Sequence, residues 1–246
     1  MHHETALEGF ILINKPPGIS SFDCIRHLKK IIKNKKIKIG HTGTLDNFAC
    51  GLLIICIGRK ATKFAGTLTD MDKKYLVKAK LGELTDTLDL TGTICATQDL
   101  IAASKEDLSR GIKQLGNSYT QIPPIYSALK HQGKNLYELA RKQKMDTATL
   151  EAIVKAKSRQ VLLHEIELLD FDPPFFTFIA HVSKGTYIRS LANDIAQNLA
   201  LNATTYELTR TEVGPFKLEK ATALQDLQTI EDIQKNLIAV ESITLI

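Results

Sequence analysis

Apolar residues in this 246-residue chain follow two spacings, and the order in which the spacings occur limits the possible folds. Short apolar or alternating runs, typical of β-strands, occur at residues 10–14, 52–58, 73–82, 158–171 and 175–183. Helical spacing follows Ser20 and Ser21, with Phe22, Ile25, Leu28 and Ile32 as the expected buried side, and returns over residues 186–200. Since strands outnumber helices and the two do not alternate regularly, the sequence predicts an α+β protein rather than a doubly wound one.

Composition narrows the class of protein. The apolar fraction is 43% and the charged fraction 24%, values that ordinary soluble globular proteins share. No apolar run is long enough for a transmembrane helix and no secretory signal is evident, so we expect a cytoplasmic protein. The cysteines show no zinc-site spacing and are expected to be buried and reduced; they are Cys24, Cys50, Cys56 and Cys95.

Charge is distributed unevenly along the chain. Residues 1–80 carry a net charge of +9, whereas the remainder carries −4. The densest basic segment is KKIIKNKKIK, residues 29–38. Such an asymmetry is typical of a protein that binds a polyanion on one face, although a lysine run of this kind can also be a solvated helix end.

One Gly- and Thr-rich segment ends in a single carboxylate. Residues 40–51, GHTGTLDNFACG, match neither the dinucleotide-binding nor the P-loop pattern. We predict a shaped loop that presents Asp46. Taken alone, the same letters also fit a tight surface turn in which the carboxylate bonds to its own backbone.

Six collinear segments make the chain similar to a known family. GFILINKPPGISSFDCIRHLKK, KIGHTGTLDNFACGLLIICIGRKATKF and DKKYLVKAKLGELTDTLDLTG are followed by QIPPIYSALKHQGKNLYELAR, VSKGTYIRSLANDIAQNL and LTRTEVGPF. In this order and spacing they resemble the tRNA pseudouridine synthase B family over roughly residues 9–220. The resemblance implies a pseudouridine synthase fold, with a mixed, mostly antiparallel central sheet flanked by helices. It also implies isomerisation of uridine 55 in the TΨC loop of tRNA, and a monomer.

The resemblance assigns roles to eight residues. It implies that Asp46 is the catalytic aspartate, that Tyr75 stacks on the target base and that Arg189 pairs with the aspartate. The residues expected at the substrate are His41, Tyr187, Lys15, Gly43 and Thr44.

These residue types suit the chemistry. The target uridine must be flipped out of a folded loop, and an aromatic face returns roughly 1–3 kcal/mol of that cost by stacking. The N1–C1′ bond breaks and a C5–C1′ bond forms, without hydrolysis or redox change, so no metal or organic cofactor is expected. The residues leave open whether Asp46 attacks C6 or acts at C1′, and whether Tyr75 or Asp46 takes the C5 proton.

The sequence departs from the family in three places. Asn47 follows the aspartate where proline is usual, and Lys184 precedes Gly185 where a small or apolar residue is usual. Only thirty residues follow Phe216, too few for the C-terminal RNA-binding PUA domain of many members. We therefore expect a catalytic domain over residues 1–220 and a short helical tail over 221–246, with tRNA binding that depends on the basic half.

Three other functions fit parts of the sequence. The first is a non-catalytic RNA-binding or tRNA-folding protein on the same scaffold. The second is a synthase of the guide-dependent kind that acts on other RNAs. The third is a metal-dependent phosphoesterase that uses Asp46, Asp86 and Asp89, although the last two are more typical of a turn between strands.

Overall fold

The computed structural model describes residues 7–99, 103–142 and 145–243. Strands and helices are numbered separately along the chain. The strands are β1 (Gly9–Lys15), β2 (Ile39–Thr42), β3 (Cys50–Ile57), β4 (Lys73–Leu81), β5 (Glu83–Thr85), β6 (Ile94–Thr97), β7 (Ser118–Gln121), β8 (Lys130–His131), β9 (Lys134–Asn135), β10 (Arg159–Asp172), β11 (Phe175–Val182), β12 (Ala203–Val213), β13 (Phe216–Lys217) and β14 (Thr222–Ala223). The helices are α1 (Ser21–Ile32), α2 (Arg59–Lys63), α3 (Ala65–Asp70), α4 (Lys105–Leu115), α5 (Leu136–Arg141), α6 (Thr147–Ala156), α7 (Ile188–Gln197) and α8 (Ile230–Lys235). These elements confirm the predicted α+β class.

The first of two compact units comprises residues 7–75 and 208–243. Its strands follow the order β14, β1, β3, β12, with β2 beside β3 and β13 beside β12. Most neighbours are antiparallel, whereas β14 on β1 and β12 on β3 are parallel. The buried core joins the first strands to the chain's last segment; its members are Phe10, Leu12, Leu52, Ile54, Cys56, Ala61, Leu68, Val213, Phe216 and Val240.

The second unit comprises residues 76–99, 103–142 and 145–207. Its sheet places β11 between β4 and β10, and β7 pairs antiparallel with the start of β10. Helix α7 turns a buried stripe inward that includes Ile188, Leu191 and Ile195. Helices α5 and α6 share a small core of their own, formed by Leu136, Leu139, Leu150 and Val154.

Several local predictions are confirmed. Strand β4 buries Tyr75, Val77, Ala79 and Leu81 on one face, as its alternation predicts. Of the two serines expected to cap α1, Ser20 is the N-cap, and its side chain accepts from the Asp23 amide.

Four local predictions are wrong. Phe22 is 54% exposed beside Arg26, because Ser21 and Cys24 complete the buried stripe of α1 in its place. Residues 40–42, expected in the loop, belong to strand β2 and pair with β3. Cys95 is exposed and Cys50 only partly buried. The last segment, expected to be helical, also contains β14.

In the described residues no helix is both long and apolar enough to cross a membrane.

Gly51 connects two buried cations. It lies opposite Lys15 in the β1–β3 register and opposite Arg210 in the β3–β12 register. Its φ is +107°, and a Cβ atom would lie 2.4 Å from the Arg210 carbonyl oxygen. Only glycine therefore allows the two strands to approach at this point.

We expect Gly51→Ala to lower the free energy of unfolding by at least about 2 kcal/mol, because the new methyl group meets backbone that cannot rotate away. Urea denaturation checks this. Gly40→Ala, on neighbouring β2 where nothing lies within 4 Å of the added atom, is the matched control and should change the free energy of unfolding little. Equal stability of the two variants would contradict the packing described here.

Candidate active site

The loop that carries Asp46 spans residues 43–49, between β2 and β3. Asp46 is partly exposed, and the side chains of Leu45 and Ala49 on either side are buried. Gly43 begins the loop with φ +75°, a conformation that favours glycine. Two apolar anchors thus hold the loop against the unit while the carboxylate lies between them.

Helix α1 fixes the middle of the loop. The Ser21 hydroxyl accepts from the Leu45 amide at 2.9 Å and donates to the Leu45 carbonyl at 3.2 Å. Ser21 is buried, so these hydrogen bonds form away from solvent. Since loop backbone groups lack strand partners, one side chain here satisfies both groups of Leu45.

Lys15 joins the loop to the preceding Pro-Pro-Gly turn. Its Nζ donates to the carbonyl oxygens of Pro16 at 2.9 Å, Ile19 at 2.8 Å and Asn47 at 3.4 Å. The Gly18 amide also donates to the Asn47 carbonyl, at 2.7 Å. Burial lowers the pKa of Lys15, while the charge of Asp46 is among the nearby groups that act in the opposite direction.

Arg210 fixes the start of the loop. Its Nε donates to the Leu52 carbonyl at 2.7 Å, and one terminal nitrogen donates to the Gly43 carbonyl at 3.0 Å. The sequence analysis did not select Arg210. Its signal was a charged residue in phase with Leu208 on β12, where it is buried.

The other predicted residues of the first unit lie on β2, in the loop itself and on β4. His41 lies on β2; burial and the charge of Arg210 lower its pKa, and its buried Nδ1 has no hydrogen-bond partner within the described part of the chain. Thr44 is exposed next to Gly43. Tyr75 is on the buried face of β4 and only 8% exposed.

In the second unit, Arg189 lies at the start of α7 and is 3% exposed. Its guanidinium donates to the carbonyl oxygens of Thr87 at 2.5 Å and Tyr126 at 2.9 Å, and lies 3.6 Å from Asp89 Oδ2. Asp89 also accepts from the Thr91 amide at 2.9 Å. Residues 86–92 are therefore a turn, as predicted, but the turn has the further role of orienting an arginine. The predicted pairing of Arg189 with Asp46 stays a prediction.

Tyr187 precedes α7 and is partly buried. Its backbone amide donates to Gln121 Oε1 at 2.7 Å, and the Arg159 guanidinium lies 4.9 Å from its ring centroid. Gln121 and Arg159 were not selected from the sequence either. In the described residues no group of three or more His, Cys, Asp or Glu side chains is placed to hold a metal ion.

The matching family model is that of the TruB family pseudouridylate synthase N-terminal domain, which covers residues 29–188. Among curated relatives, "tRNA pseudouridine synthase B" of Clostridium kluyveri is 40% identical over 96% of this chain and 77% of its own length. The proteins of the same name from Fusobacterium nucleatum and Bordetella avium are 46% and 41% identical, over 87% and 96% of this chain and 70% and 93% of their own lengths.

Solved structures give the same fold. The chain is similar, with a TM-score of 0.67 and 27% identity, to a chain of a Cbf5-Nop10-Gar1 complex, over 91% of this chain and 55% of that one. A chain of an H/ACA RNP bound to a substrate RNA containing 2′-deoxyuridine matches with a TM-score of 0.64 and 25% identity, over 90% and 53% of the two chains. The chain thus spans about half the length of these structures.

Asp194 on α7 gives the second unit a distinct pH response. Burial raises the pKa of its carboxyl group from 3.8 to about 6, against the hydrogen bond from the Tyr119 hydroxyl at 2.8 Å. The folded state thus binds the proton more tightly than the unfolded state, so this group's contribution to stability is lost as the pH rises from about 4 through 6.

Asp194→Asn keeps an acceptor for Tyr119. As the pH rises from 4 to 7, we expect the free energy of unfolding of this variant to increase relative to that of the wild type by roughly 2 kcal/mol. Urea denaturation across this range measures the difference. Asp232→Asn is the control of opposite sign, because amide hydrogen bonds lower the pKa of Asp232. A constant difference between Asp194→Asn and wild type would contradict the burial of Asp194.

Proposed function

The chain belongs to the TruB family of pseudouridylate synthases, and on this premise we propose that it isomerises uridine 55 in the TΨC loop of tRNA with Asp46 as the catalytic carboxylate. It is a tRNA pseudouridine synthase, an isomerase. The observation that carries the assignment of Asp46 is its loop, which two buried cations and a buried serine hold by its backbone. Such bracing suits a carboxylate that must meet one carbon atom of a flipped nucleotide.

For the remaining residues we propose the roles that the family resemblance implies. Tyr75 offers an aromatic face for the target base, and Arg189 is held at the start of α7 for interaction with the aspartate. His41, Tyr187, Lys15, Gly43 and Thr44 form the rest of the substrate site. In the net reaction the N1–C1′ bond breaks, the C5–C1′ bond forms, C5 loses a proton and N1 gains one.

The relatives favour this reaction over its alternatives. The curated relatives that share 40–46% identity are named as tRNA enzymes, whereas the ribonucleoprotein chains share 25–27%. A tRNA-folding protein without catalysis would have no use for a carboxylate fixed in a braced loop. We propose further that the enzyme acts as a monomer in the cytoplasm, with its catalytic domain over residues 1–220 and a tail over 221–246.

Tritium release from a tRNA transcript labelled at C5 of uridine tests the reaction. Wild type should release tritium without added metal and in the presence of EDTA, and Asp46→Asn should be slower by at least about 1,000-fold, as for loss of a nucleophile or base. Asp70→Asn, an exposed carboxylate of the same unit, is the matched control and should behave like wild type.

Carbodiimide treatment and primer extension then map the product. A single modified uridine at position 55 is expected. Release by Asp46→Asn at the wild-type rate would overturn its role, and modification at another position would overturn the proposed target. Loss of activity in EDTA would favour a metal-dependent reaction.

The tRNA phosphates are expected to contact the basic segment at the end of α1. Lys33, Lys35, Lys36 and Lys38 are all exposed there, and the Lys38 carbonyl accepts from Gly58, which precedes exposed Arg59 and Lys60 of α2. The two elements therefore form one cationic surface of the first unit.

Affinity for tRNA should fall steeply with salt, and the double variant Lys35→Gln/Lys36→Gln should reduce the slope of log K against log salt by about 1–2. Filter binding at salt concentrations from about 50 to 300 mM checks this, because counterion release changes the affinity measurably over that range. The exposed pair Lys217→Gln/Lys220→Gln serves as the control. An affinity independent of salt would contradict phosphate binding.

A further inference from the structure

Helix α7 begins without the side-chain cap that most helices use. Its N-cap residue is Tyr187, and no side chain of that residue accepts from the first turn. Ser, Thr, Asp or Asn at this position typically contributes about 1 kcal/mol. The backbone that leads into α7, two residues before Arg189, must therefore be fixed by contacts from elsewhere in the unit.

Gln121, the last residue of β7, supplies one such contact. Its side chain is fully buried; Oε1 accepts from the Tyr187 amide at 2.7 Å and Nε2 donates to the Tyr187 carbonyl at 3.1 Å. The amide thus pairs with both backbone groups of one residue, as a neighbouring strand would. Nε2 also donates to the Tyr119 hydroxyl at 2.6 Å, which in turn donates to Asp194 on the second turn of α7.

Arg159 supplies a second contact from the opposite strand. It is the register partner of Gln121 in the β7–β10 pair. Its guanidinium lies over the Tyr187 ring, and a terminal nitrogen donates to the Gly185 carbonyl. Gly185 has φ +81°, and a Cβ atom there would lie 3.2 Å from Arg159 Cζ. One cross-strand pair therefore contacts both the backbone and the ring of the residue at the start of α7.

We propose that Gln121 and Arg159 are positioning residues that set the direction of α7 at Tyr187 and thereby place Arg189 for the isomerisation. This rests on the proposed function, since Arg189 must take part in the reaction. An α-helix transmits the orientation of its first residue rigidly to the next turn, and the far end of the Arg189 side chain donates to the carbonyls of Thr87 and Tyr126. Losing the contacts at Tyr187 shifts the base of the side chain while leaving its tip anchored.

The test separates the chemical step from binding. Gln121→Met keeps the length of the side chain and removes all three hydrogen bonds. Single-turnover pseudouridine formation should slow by about 100-fold, the effect of a misplacement near 1 Å, while the Kd for tRNA stays within about 2-fold. The matched control is Gln160→Met at the next cross-strand pair, where an exposed glutamine donates to Thr120 Oγ1 at 3.1 Å; wild-type rates are expected.

Arg159→Lys is the second variant, and it does not disturb a buried position. Lysine keeps the charge but not the planar group that covers the ring and bonds Gly185, so we expect a rate loss of about 10-fold with unchanged Kd. Thermal melts confirm that each variant is folded. If Gln121→Met does not fold, Arg159→Lys decides the question.

Three outcomes would overturn the proposal. Wild-type rates in both variants would show that neither residue positions Arg189. Parallel losses of rate and affinity would show a general effect on the RNA-binding surface. If the wild type forms no pseudouridine, the proposed function fails and the inference fails with it. This result differs from the first outcome, in which the wild type is active and both variants match its rate.

Discussion

Two positive charges taken out of water, on Lys15 and Arg210, determine how the loop that carries Asp46 can be arranged. A buried cation without acceptors would cost several kcal/mol, and loop carbonyls without donors would add to that cost. Here the cations and the carbonyl groups supply each other's hydrogen bonds, because Lys15 donates to three carbonyls and Arg210 to two. A change in the loop would expose these charges to an apolar interior, so the backbone on both sides of Asp46 is fixed by electrostatics and not by regular secondary structure.

The second unit also pairs buried polar side chains with backbone groups, and there the pairing holds an arginine and the start of a helix. Arg189 is buried against two carbonyls and Asp89, which fixes the far end of its side chain, while Gln121 satisfies the backbone where α7 begins. In both units, irregular backbone next to a candidate functional side chain has its polar groups paired with buried side chains. This arrangement gives irregular segments a precision usually found in helices and strands, which catalysis by positioning requires.

The sequence predicted what depends on nearby residues and failed where the partner is distant. The alternation of β4 and the serine cap of α1 involve residues two to four positions apart, and both were predicted correctly. Strand β2 has no strong pattern of its own and forms because β3 offers it an edge. Arg210 bonds Leu52, 158 residues away, and Gln121 bonds Tyr187, 66 residues away. Neither contact can be predicted from residues nearby in the sequence, so both residues were missed, whereas Tyr75 and Arg189 were selected only through the family resemblance, which also gave Asp46 its role.

Asn47 stands where proline is usual in the family, and the contacts of this position indicate what the replacement changes. Proline would restrict the backbone of the unfolded chain, an effect of about 0.4–1 kcal/mol where the native conformation allows it. The contacts that join this position to the Pro-Pro-Gly turn use its carbonyl oxygen, which accepts from Gly18 and Lys15 and which any residue provides. The substitution thus gives up a small entropic term and keeps the hydrogen bonds. Since buried cations and Ser21 fix the loop independently, its shape depends on its contacts more than on the stiffness of its own backbone, and an asparagine after Asp46 is compatible with the proposed activity.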